Sequence, residues 1–573
     1  MTIDNRFTKL LGRALPSRFA RRFARDEDGA LIILSLQILI IMLICTGIAI
    51  DFVRQEERRT LIQATIDRAA LAAADLGQLL DPKEVVLDYL DKAGLGYLDV
   101  DPKVEQGEYD EYRRISIELK DEMPTIFGPL VGVNSLTSNG VAKAEESIGG
   151  VEISLVLDIS GSMNDPVGTG TRMDKLHDAA EYFVERMFDQ VQPPGAPPGR
   201  LSISIVPYNQ QVQLGTKLAS VYKLSTDHTQ NTCGDVQTLG FSALSITPSA
   251  GLQRTMYGDS FNYSGQDELG QGYWNTPQYT NIKSCAGYSY ADIMAWGNDE
   301  GKLTTKIKSL QASGDTAIDI GARWGLALLD PSAQPALEAL KDATLVDASL
   351  LGRPLDYNQA GLPAEQRAMK VMVLMTDGMN TRSYSTKSEY RSGNSPLFST
   401  YTNSYLPSRS YYGGWDSSYR YLYYYAPGRS RPYYRFYDGN WYKSNEIYGT
   451  LRRFTWDTIW SKGYTLNWVT SNFMYPAERQ LSWVNEEDVF DKYAIQSEFG
   501  EKDTNLNKIC ELAKDDTRKV VIFTVAVDAP PEGSSVLEDC SSGEAYAHDV
   551  SSSDLTNAFA QIASAINALR LTN

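Results

Sequence analysis

VEISLVLDISGSM, residues 151–163, joins an almost continuous apolar run to a carboxylate and two hydroxyls at alternate positions, Asp158, Ser160 and Ser162. An apolar run of this kind is typical of a parallel strand that is covered on both faces. Ligand-binding side chains of open α/β sheets lie beyond the carboxyl ends of such strands. We therefore expect an α/β sheet with a polar site at the end of this strand.

Other segments extend the same pattern. Apolar runs at 201–207, 370–376 and 519–527 predict three further parallel strands. Helical periodicity occurs at 173–191 and near the carboxyl end. There, one core-facing apolar stripe is formed by Leu555, Phe559, Ile562, Ile566 and Leu569. Together these elements predict a doubly wound, Rossmann-like sheet.

Two more oxygen donors fit the same site. Asp377 ends the third apolar run, and Thr316 follows a glycine turn before an amphipathic helix. Ligands that are all oxygen favour Mg²⁺, Mn²⁺ or Ca²⁺ over zinc or copper, and we expect Mg²⁺ first. A cation held this way keeps open positions, so we expect a partner protein to add an acidic side chain. The alternative is an ordinary turn, because Asp and Ser also bond to their own backbone.

On these residues the chain resembles von Willebrand factor A domains and their metal-ion-dependent adhesion site. The resemblance assigns the first-loop motif to Asp158, Ser160 and Ser162, the second-loop threonine to Thr316 and the third-loop aspartate to Asp377. It implies that the hydroxyls bind the metal directly and that the aspartates often act through water. It also implies that the domain spans residues 149–570.

The amino terminus predicts a membrane anchor. Residues 30–50, ALIILSLQILIIMLICTGIAI, carry no charge and can form a helix that crosses the ~30 Å bilayer core. Residues 1–29 are predominantly basic, which is typical of the cytoplasmic side. We expect a single pass through a bacterial inner membrane, with the bulk of the chain outside the cytoplasm. A signal peptide would be shorter, and a prepilin cut after Gly29 would carry glutamate at the position of Leu34.

A second resemblance covers residues 18–80 and the carboxyl end. Asp51 follows the apolar run, and residues 67–74 read DRAALAAA, as in the anchors of TadG-like proteins of tight-adherence (Flp) pilus systems. The resemblance implies an assembly or adhesion protein of a Flp-type pilus, with a pilus or envelope component as its partner. A pilus-independent envelope adhesin or scaffold with the same metal site remains the alternative.

The predicted organisation places a helical stalk at 51–80 and a small α+β module at 81–148. In that module the sequence predicts a helix at 83–93, a strand at 113–123 and a polar connecting segment at 138–147. The alanine-rich run at 69–74 has two interpretations, a plain stalk or a small-residue face for lateral self-association.

Two long insertions interrupt the α/β pattern, at about 216–301 and about 382–500. The second is crowded with tyrosine and interleaved arginine, which favours either a recognition surface or a segment that folds back on the domain or stays mobile. Cys233, Cys285, Cys510 and Cys540 lie in the part predicted to be extracytoplasmic. Sequence order suggests pairing of the first two and of the last two, although three connectivities are possible.

Composition and the absence of known motifs argue against several classes of function. The formal net charge of −18 argues against a nucleic-acid surface. The sequence contains no P-loop, no G-x-S-x-G and no H-E-x-x-H motif. None of the three histidines, His177, His228 and His548, lies in a motif with a base or nucleophile. We therefore expect a protein that is not an enzyme, and a metal-dependent hydrolase is the weakest of the candidate classes.

Overall fold

A computed structural model describes residues 28–76, 78–107, 112–147, 149–229, 231–256, 285, 288–402, 405–407, 414–462 and 464–572. The described chain divides into two compact units, Met1–Ser147 and Ile148–Asn573. Most of the predicted basic tail, residues 1–27, lies outside the described residues, as does part of the first predicted insertion, 257–284.

The first unit combines two helices with an antiparallel sheet. Helix α1 is Asp28–Ala74 and helix α2 is Pro82–Lys92. The sheet has the order β1-β2-β3, formed by Lys103–Gln106, Tyr112–Pro124 and Ser135–Ser147. Helix α1 contains the apolar stretch that is long enough to cross a membrane, and its side chains from 31 to 43 are exposed.

The carboxyl-terminal half of α1 belongs to the core of the first unit. Ala69, Ala70, Ala73 and Ala74 are buried with apolar residues of α2, β2 and β3. Small side chains let the helix approach the sheet closely, so the alanine face is covered within its own unit. The polar segment at 138–147 is not a connecting segment but part of β3. Its residues pair with β2 in continuous register, and this backbone pairing outweighs their low strand propensity.

The second unit contains the predicted α/β sheet. It has six strands in the order β18-β17-β9-β4-β7-β8. All neighbours are parallel except β7 and β8, so the sheet is mixed with one antiparallel edge. In sequence order the strands are β4 Gly150–Asp158, β7 Leu201–Tyr208, β8 Met294–Gly297, β9 Ala368–Thr376, β17 Val521–Val527 and β18 Ala547–Val550.

Helices cover both faces of this sheet. One face packs on α3 Arg172–Val191, α5 Glu300–Ser309 and α14 Leu555–Thr572. The other packs on α6 Ile318–Ala327, α7 Gln334–Asp342, α12 Phe499–Lys514 and α13 Pro531–Cys540. Helix α4, Gly215–Val221, joins the second layer. Gly321 lets α6 approach the sheet, since a Cβ there would lie 2.6 Å from Cγ of Tyr208.

The apolar runs that predicted strands all form strands, with one shortened boundary. Lys519 has a φ of +52°, so β17, the last of the predicted strands, begins at Val521 instead of 519. The predicted helix at 173–191 begins one residue earlier, at Arg172. Leu555, Phe559, Ile562 and Ile566 are buried in the predicted core-facing stripe.

The tyrosine-rich region forms a folded substructure with its own core. The antiparallel pair of β10 Ser383–Thr386 and β16 Ala494–Ser497 brackets it. Between them lies a sheet of order β14-β13-β12-β11-β15. Its strands are β11 Asn394–Ser399, β12 Leu422–Tyr425, β13 Tyr433–Arg435, β14 Asn440–Tyr442 and β15 Arg452–Thr455. The accompanying helices are α8 Trp456–Ser461, α9 Leu466–Val469, α10 Tyr475–Glu478 and α11 Glu486–Tyr493.

Aromatic rings supply much of that core. Trp456 stacks on Trp460 with ring centroids 5.4 Å apart, and Tyr464 stacks on Trp468 at 4.8 Å. The described part of the region therefore forms an aromatic core of its own, whereas its composition favoured either a recognition surface or a segment that folds back on the domain or stays mobile.

The remaining small strands and the disulfides complete the second unit. Strands β5 Pro166–Val167 and β6 Gly170–Thr171 form a hairpin just before α3. Cys233 pairs with Cys285, and Cys510 with Cys540, which confirms the pairing suggested by sequence order.

Candidate metal centre

The first loop of the site begins where β4 ends. Asp158 is the last residue of β4, and its Oδ1 accepts a hydrogen bond of 2.7 Å from the backbone N–H of Ser160. Its Oδ2 accepts one of 2.6 Å from the hydroxyl of Thr376, at the end of β9. These bonds turn the chain sharply out of the sheet, and they hold the Asp158 carboxylate in full burial between two neighbouring strands.

Backbone hydrogen bonds join the second loop to the first and the third. The N–H of Gly161 donates to the carbonyl oxygen of Gly314 at 2.7 Å. Gly314 has a φ of +83°, which favours glycine at this turn. The N–H of Thr381 donates to the carbonyl oxygen of Thr316 at 2.9 Å, which fixes Thr316 beside the loop that follows β9. All three loops are therefore fixed relative to one another.

A chain of oxygen atoms connects the sequence-predicted residues. The hydroxyl oxygens of Ser160 and Ser162 lie 3.0 Å apart, and the Ser162 hydroxyl donates to Oδ1 of Asp377 at 2.7 Å. Thr316 lines the same cleft as both serines. The structure thus brings Asp158, Ser160, Ser162 and Asp377 into one bonded cluster, with Thr316 at its rim.

Arg172 is a member of this cluster that sequence reasoning missed. Its Nη1 donates to Oδ2 of Asp377 at 2.9 Å, and it also lies 3.4 Å from Oδ2 of Asp165. Thr171 and Asp174 form a capping box that makes Arg172 the first residue of α3. A cation at a helix amino terminus opposes the helix dipole. That unfavourable placement was the sequence signal that could have identified it.

Negative charge exceeds positive charge in this cluster. Burial, reinforced by the nearby Asp377 carboxylate, raises the pKa of Asp158 to about 7. Arg172 is the cation that contacts Asp377, whereas hydroxyls and a backbone N–H contact Asp158. The acids Asp158, Asp377 and Asp165 therefore outnumber the one arginine, and ionisation of Asp158 leaves an excess of negative charge that favours an additional cation.

An open cleft of about 590 Å³ gives access to the cluster. Its walls come from the three loops and from the start of α13. The residues that line it are Ser160, Ser162, Gly314, Asp315, Thr316, Gly378, Met379, Thr381, Pro530 and Glu532. Burial also raises the pKa of Asp315. The three hydroxyls that the sequence predicts as ligands therefore face a space that solvent or a partner side chain can enter.

The residues present fit a hard divalent cation. The donor set consists of hydroxyl and carboxylate oxygens, the atoms that Mg²⁺ and Ca²⁺ prefer. Within the described ranges, no group of three or more His, Cys, Asp or Glu side chains is arranged to hold a metal ion. A centre here would instead depend on three hydroxyls and two carboxylates, with Ser160, Ser162 and Thr316 holding the ion and the aspartates supplying charge.

No protein-family model and no curated protein matches this chain. Among solved structures, it is similar to the PilB minor pilin from Streptococcus sanguinis, with a TM-score of 0.28 and 12% identity over 82% of this chain and 78% of that one. The von Willebrand factor domain of the type V pili tip protein Mfa5 from Porphyromonas gingivalis gives a TM-score of 0.27 and 11% identity, covering 74% and 96%.

The pilus adhesin SpaC from Lactobacillus rhamnosus GG, in its open conformation, gives a TM-score of 0.26 and 11% identity. That match covers 82% of this chain and 34% of SpaC. Scores and identities at this level do not establish a shared fold or function, so the proposals below rest on this chain's own residues.

Proposed function

We propose that this chain is a membrane-anchored, extracytoplasmic adhesion or assembly protein whose von Willebrand factor A-type domain binds a partner through a divalent cation. The observation that carries the proposal is the convergence of Ser160, Ser162 and Asp377 at an open cleft with excess negative charge. Ser160, Ser162 and Thr316 would hold the ion, Mg²⁺ in the first instance, and it would offer an open coordination position to a partner carboxylate. The proposal assigns no catalytic step to the site.

The chain's own residues have distinct roles in this proposal. The hydroxyls of Ser160 and Ser162 present oxygen atoms to the cleft, and Thr376 and the Ser160 N–H orient the Asp158 carboxylate behind them. Arg172 holds one oxygen of Asp377 and leaves the other toward Ser162. A partner carboxylate would enter through the cleft opening, where Met379 and Glu532 form part of the wall.

The membrane anchor in the proposal is the apolar part of α1. Its uncharged stretch is long enough to cross a bilayer, and its side chains are exposed along 31–43. The basic residues that precede it favour a cytoplasmic amino terminus at a bacterial inner membrane, which would place both folded units outside the cytoplasm.

The resemblance of residues 18–80 to TadG-like anchors supports a Flp-type pilus as the setting. Deletion of the gene, followed by electron microscopy and a surface-attachment assay, tests this part of the proposal. Loss of pili together with attachment is the expected result. Normal pili with lost attachment would contradict a role in pilus assembly and would favour the pilus-independent adhesin.

Crosslinking in the native envelope tests the role of the metal. We expect a partner to be captured in Mg²⁺ and lost in chelator, and we expect Asp158→Ala to lose it in both conditions. Glu338→Ala, on the exposed face of α7, is the matched control and should capture the partner as wild type does. Capture that is unchanged by chelator would contradict the proposed docking chemistry.

A further inference from the structure

The hairpin tip between β2 and β3, residues 126–133, exposes a continuous apolar surface. Ile126, Leu130, Val131 and Val133 are 60%, 67%, 50% and 42% exposed. No charged residue occurs between positions 123 and 142. An exposed apolar patch without charge marks a surface that contacts another apolar phase.

The tip is fixed to α1 at the point where the apolar stretch ends. Oδ1 of Asp51 accepts a hydrogen bond of 3.0 Å from the N–H of Ile126. Its Oδ2 accepts bonds of 2.8 and 2.9 Å from the N–H groups of Phe127 and Gly128. One buried carboxylate thus satisfies three backbone donors of the tip and holds it against the helix.

The contact continues one turn further toward the amino terminus of α1. Gly47 is buried, and a Cβ there would lie 2.5 Å from Cγ of Phe127. Glycine therefore lets the phenylalanine ring lie directly on the helix backbone. Gly47 precedes the end of the uncharged stretch at Ile50, so the ring lies about 4–5 Å inside that stretch at ~1.5 Å per residue.

The alignment of β3 along α1 also places the hairpin tip beside the end of the uncharged stretch of α1. The side-chain amide of Gln55 donates to the carbonyl oxygen of Thr137 at 2.9 Å. From Thr137 back to Ser135, the first residue of β3, the strand covers ~7 Å, and from Gln55 back to Asp51 the helix covers ~6 Å. The start of β3 therefore lies near the level of Asp51, and the tip lies beyond it toward the uncharged stretch.

We propose that this tip inserts its apolar side chains into the outer leaflet of the bilayer that α1 crosses, giving the first unit a second membrane contact. The inference rests on the proposed membrane anchor. Phe127 of the tip packs on Gly47 inside the uncharged stretch of α1, and the charged residues Arg54 and Glu56 follow after Asp51, which binds the tip. Because Asp51 couples the tip to the helix, the two contacts would fix the orientation of this unit on the membrane.

Site-specific fluorescence in the full-length chain, reconstituted into liposomes, tests this inference. Cys45→Ala removes the free cysteine, and the four remaining cysteines are disulfide-bonded. A polarity-sensitive probe is then attached in three separate variants, Leu130→Cys at the tip, Ile38→Cys in the span and Leu79→Cys as the control. Leu79 is 98% exposed and follows α1 at the opposite end of the unit.

The expected result is that the Leu130 and Ile38 probes are quenched by a lipid-borne quencher and protected from an aqueous one, while the Leu79 probe behaves oppositely. A Leu130 probe that behaves like Leu79, with Ile38 still in lipid, would overturn the inference and leave the anchor intact. An Ile38 probe in water would overturn both. A Leu130 probe protected from both quenchers would indicate a second copy of the chain over the tip and would overturn the lipid contact.

A second variant tests the coupling through Asp51. Asp51→Ala removes the acceptor of three tip N–H groups. We expect the Leu130 probe to lose its protection from the aqueous quencher, while the Ile38 probe is unchanged. Unchanged protection of Leu130 would contradict the positioning role of Asp51.

Discussion

Strand β4 carries a buried carboxylate near each end, and their surroundings differ. Near its start, Glu152 lies 2.6 Å from Nζ of Lys370 and 3.3 Å from Nη1 of Arg353, and it also accepts the N–H of Leu355 at 2.8 Å. At its end, Asp158 and Asp377 share a site with one arginine. In the first cluster two cations contact one acid, whereas the second cluster is short of positive charge and opens to a cleft.

The difference separates a structural ion cluster from a candidate binding site. Both ends bury acids at considerable cost in desolvation. At the second end, burial raises the pKa of Asp158, and hydroxyl groups line an opening. We therefore expect removal of an acid to destabilise the protein at one end of the strand and to stabilise it at the other.

The largest effect is expected at Glu152. Glu152→Ala leaves Lys370 and Arg353 as buried cations without their partner, so the free energy of unfolding should fall by about 3–5 kcal/mol. Chemical denaturation of the full-length chain in detergent measures this, with exposed Glu338→Ala as the control. A loss as small as the control's would show that the Glu152 cluster is not a structural ion cluster.

At Asp158, removal of the acid is expected to raise the free energy of unfolding, the opposite of the change at Glu152. Its raised pKa means that the folded state binds more protons than the unfolded state between about pH 4 and pH 7, so stability falls as pH rises through this window. Asp158→Asn removes that cost. In chelator the variant should be more stable than wild type at pH 8, by up to about 4 kcal/mol, and about equal to it near pH 4.

Thermal melts across that pH range, in chelator, measure the difference. The added stability should grow with pH. If Asp158→Asn destabilised the protein equally at every pH, the carboxylate would be a structural acid like Glu152. The two ends of β4 would then not differ in the role of their buried acid.

A smaller effect is expected at Thr316. Thr316→Val keeps the shape of the side chain but removes the hydroxyl that faces the cleft, so Mg²⁺ affinity should fall by about tenfold, or about 1.4 kcal/mol. Thr316→Ser keeps the hydroxyl and should bind within a few-fold of wild type. Calorimetric titration distinguishes the two, and equal affinities would remove Thr316 from the proposed ligands.

The smallest change, again in Mg²⁺ affinity, is expected when Arg172 is replaced. Arg172→Gln removes the cation that contacts Asp377, so the site becomes more negative and Mg²⁺ should bind about fivefold more tightly, or by about 1 kcal/mol. Arg186→Gln, farther along α3 and exposed, should leave the affinity unchanged. Weaker binding in Arg172→Gln would mean that this arginine organises the site instead of competing with the ion.

The sequence predicts the sheet well because parallel strands leave a local signal. Residues 150–158 and 368–376 are mostly apolar and buried along almost their whole length, and both form central strands. The short motif around Ser160 is also local, and the structure places its residues together with Asp377. Metal binding by these residues stays a prediction.

Features that depend on long-range contacts were not predictable. The position of Arg172 at the start of a helix is a local signal, but its partner Asp377 lies 205 positions away in the chain, and no local pattern specifies that partner. Strand β3 is polar on one side and contains Gly140, so its identity depends on its register with β2. In the tyrosine-rich region the composition left a recognition surface and a folded-back or mobile segment open, and it did not indicate that Trp460, Tyr464 and Phe473 are buried in a core of that region.

The most direct test of the account is a calorimetric titration of Mg²⁺ into the full-length chain in detergent near pH 7. We predict saturable binding of one ion, with release of part of a proton as Asp158 ionises, seen as a dependence of the heat on the buffer. Ser160→Ala should abolish that signal. Absence of Mg²⁺, Mn²⁺ or Ca²⁺ binding by the folded wild-type chain would contradict the claim that this end of β4 is a metal centre.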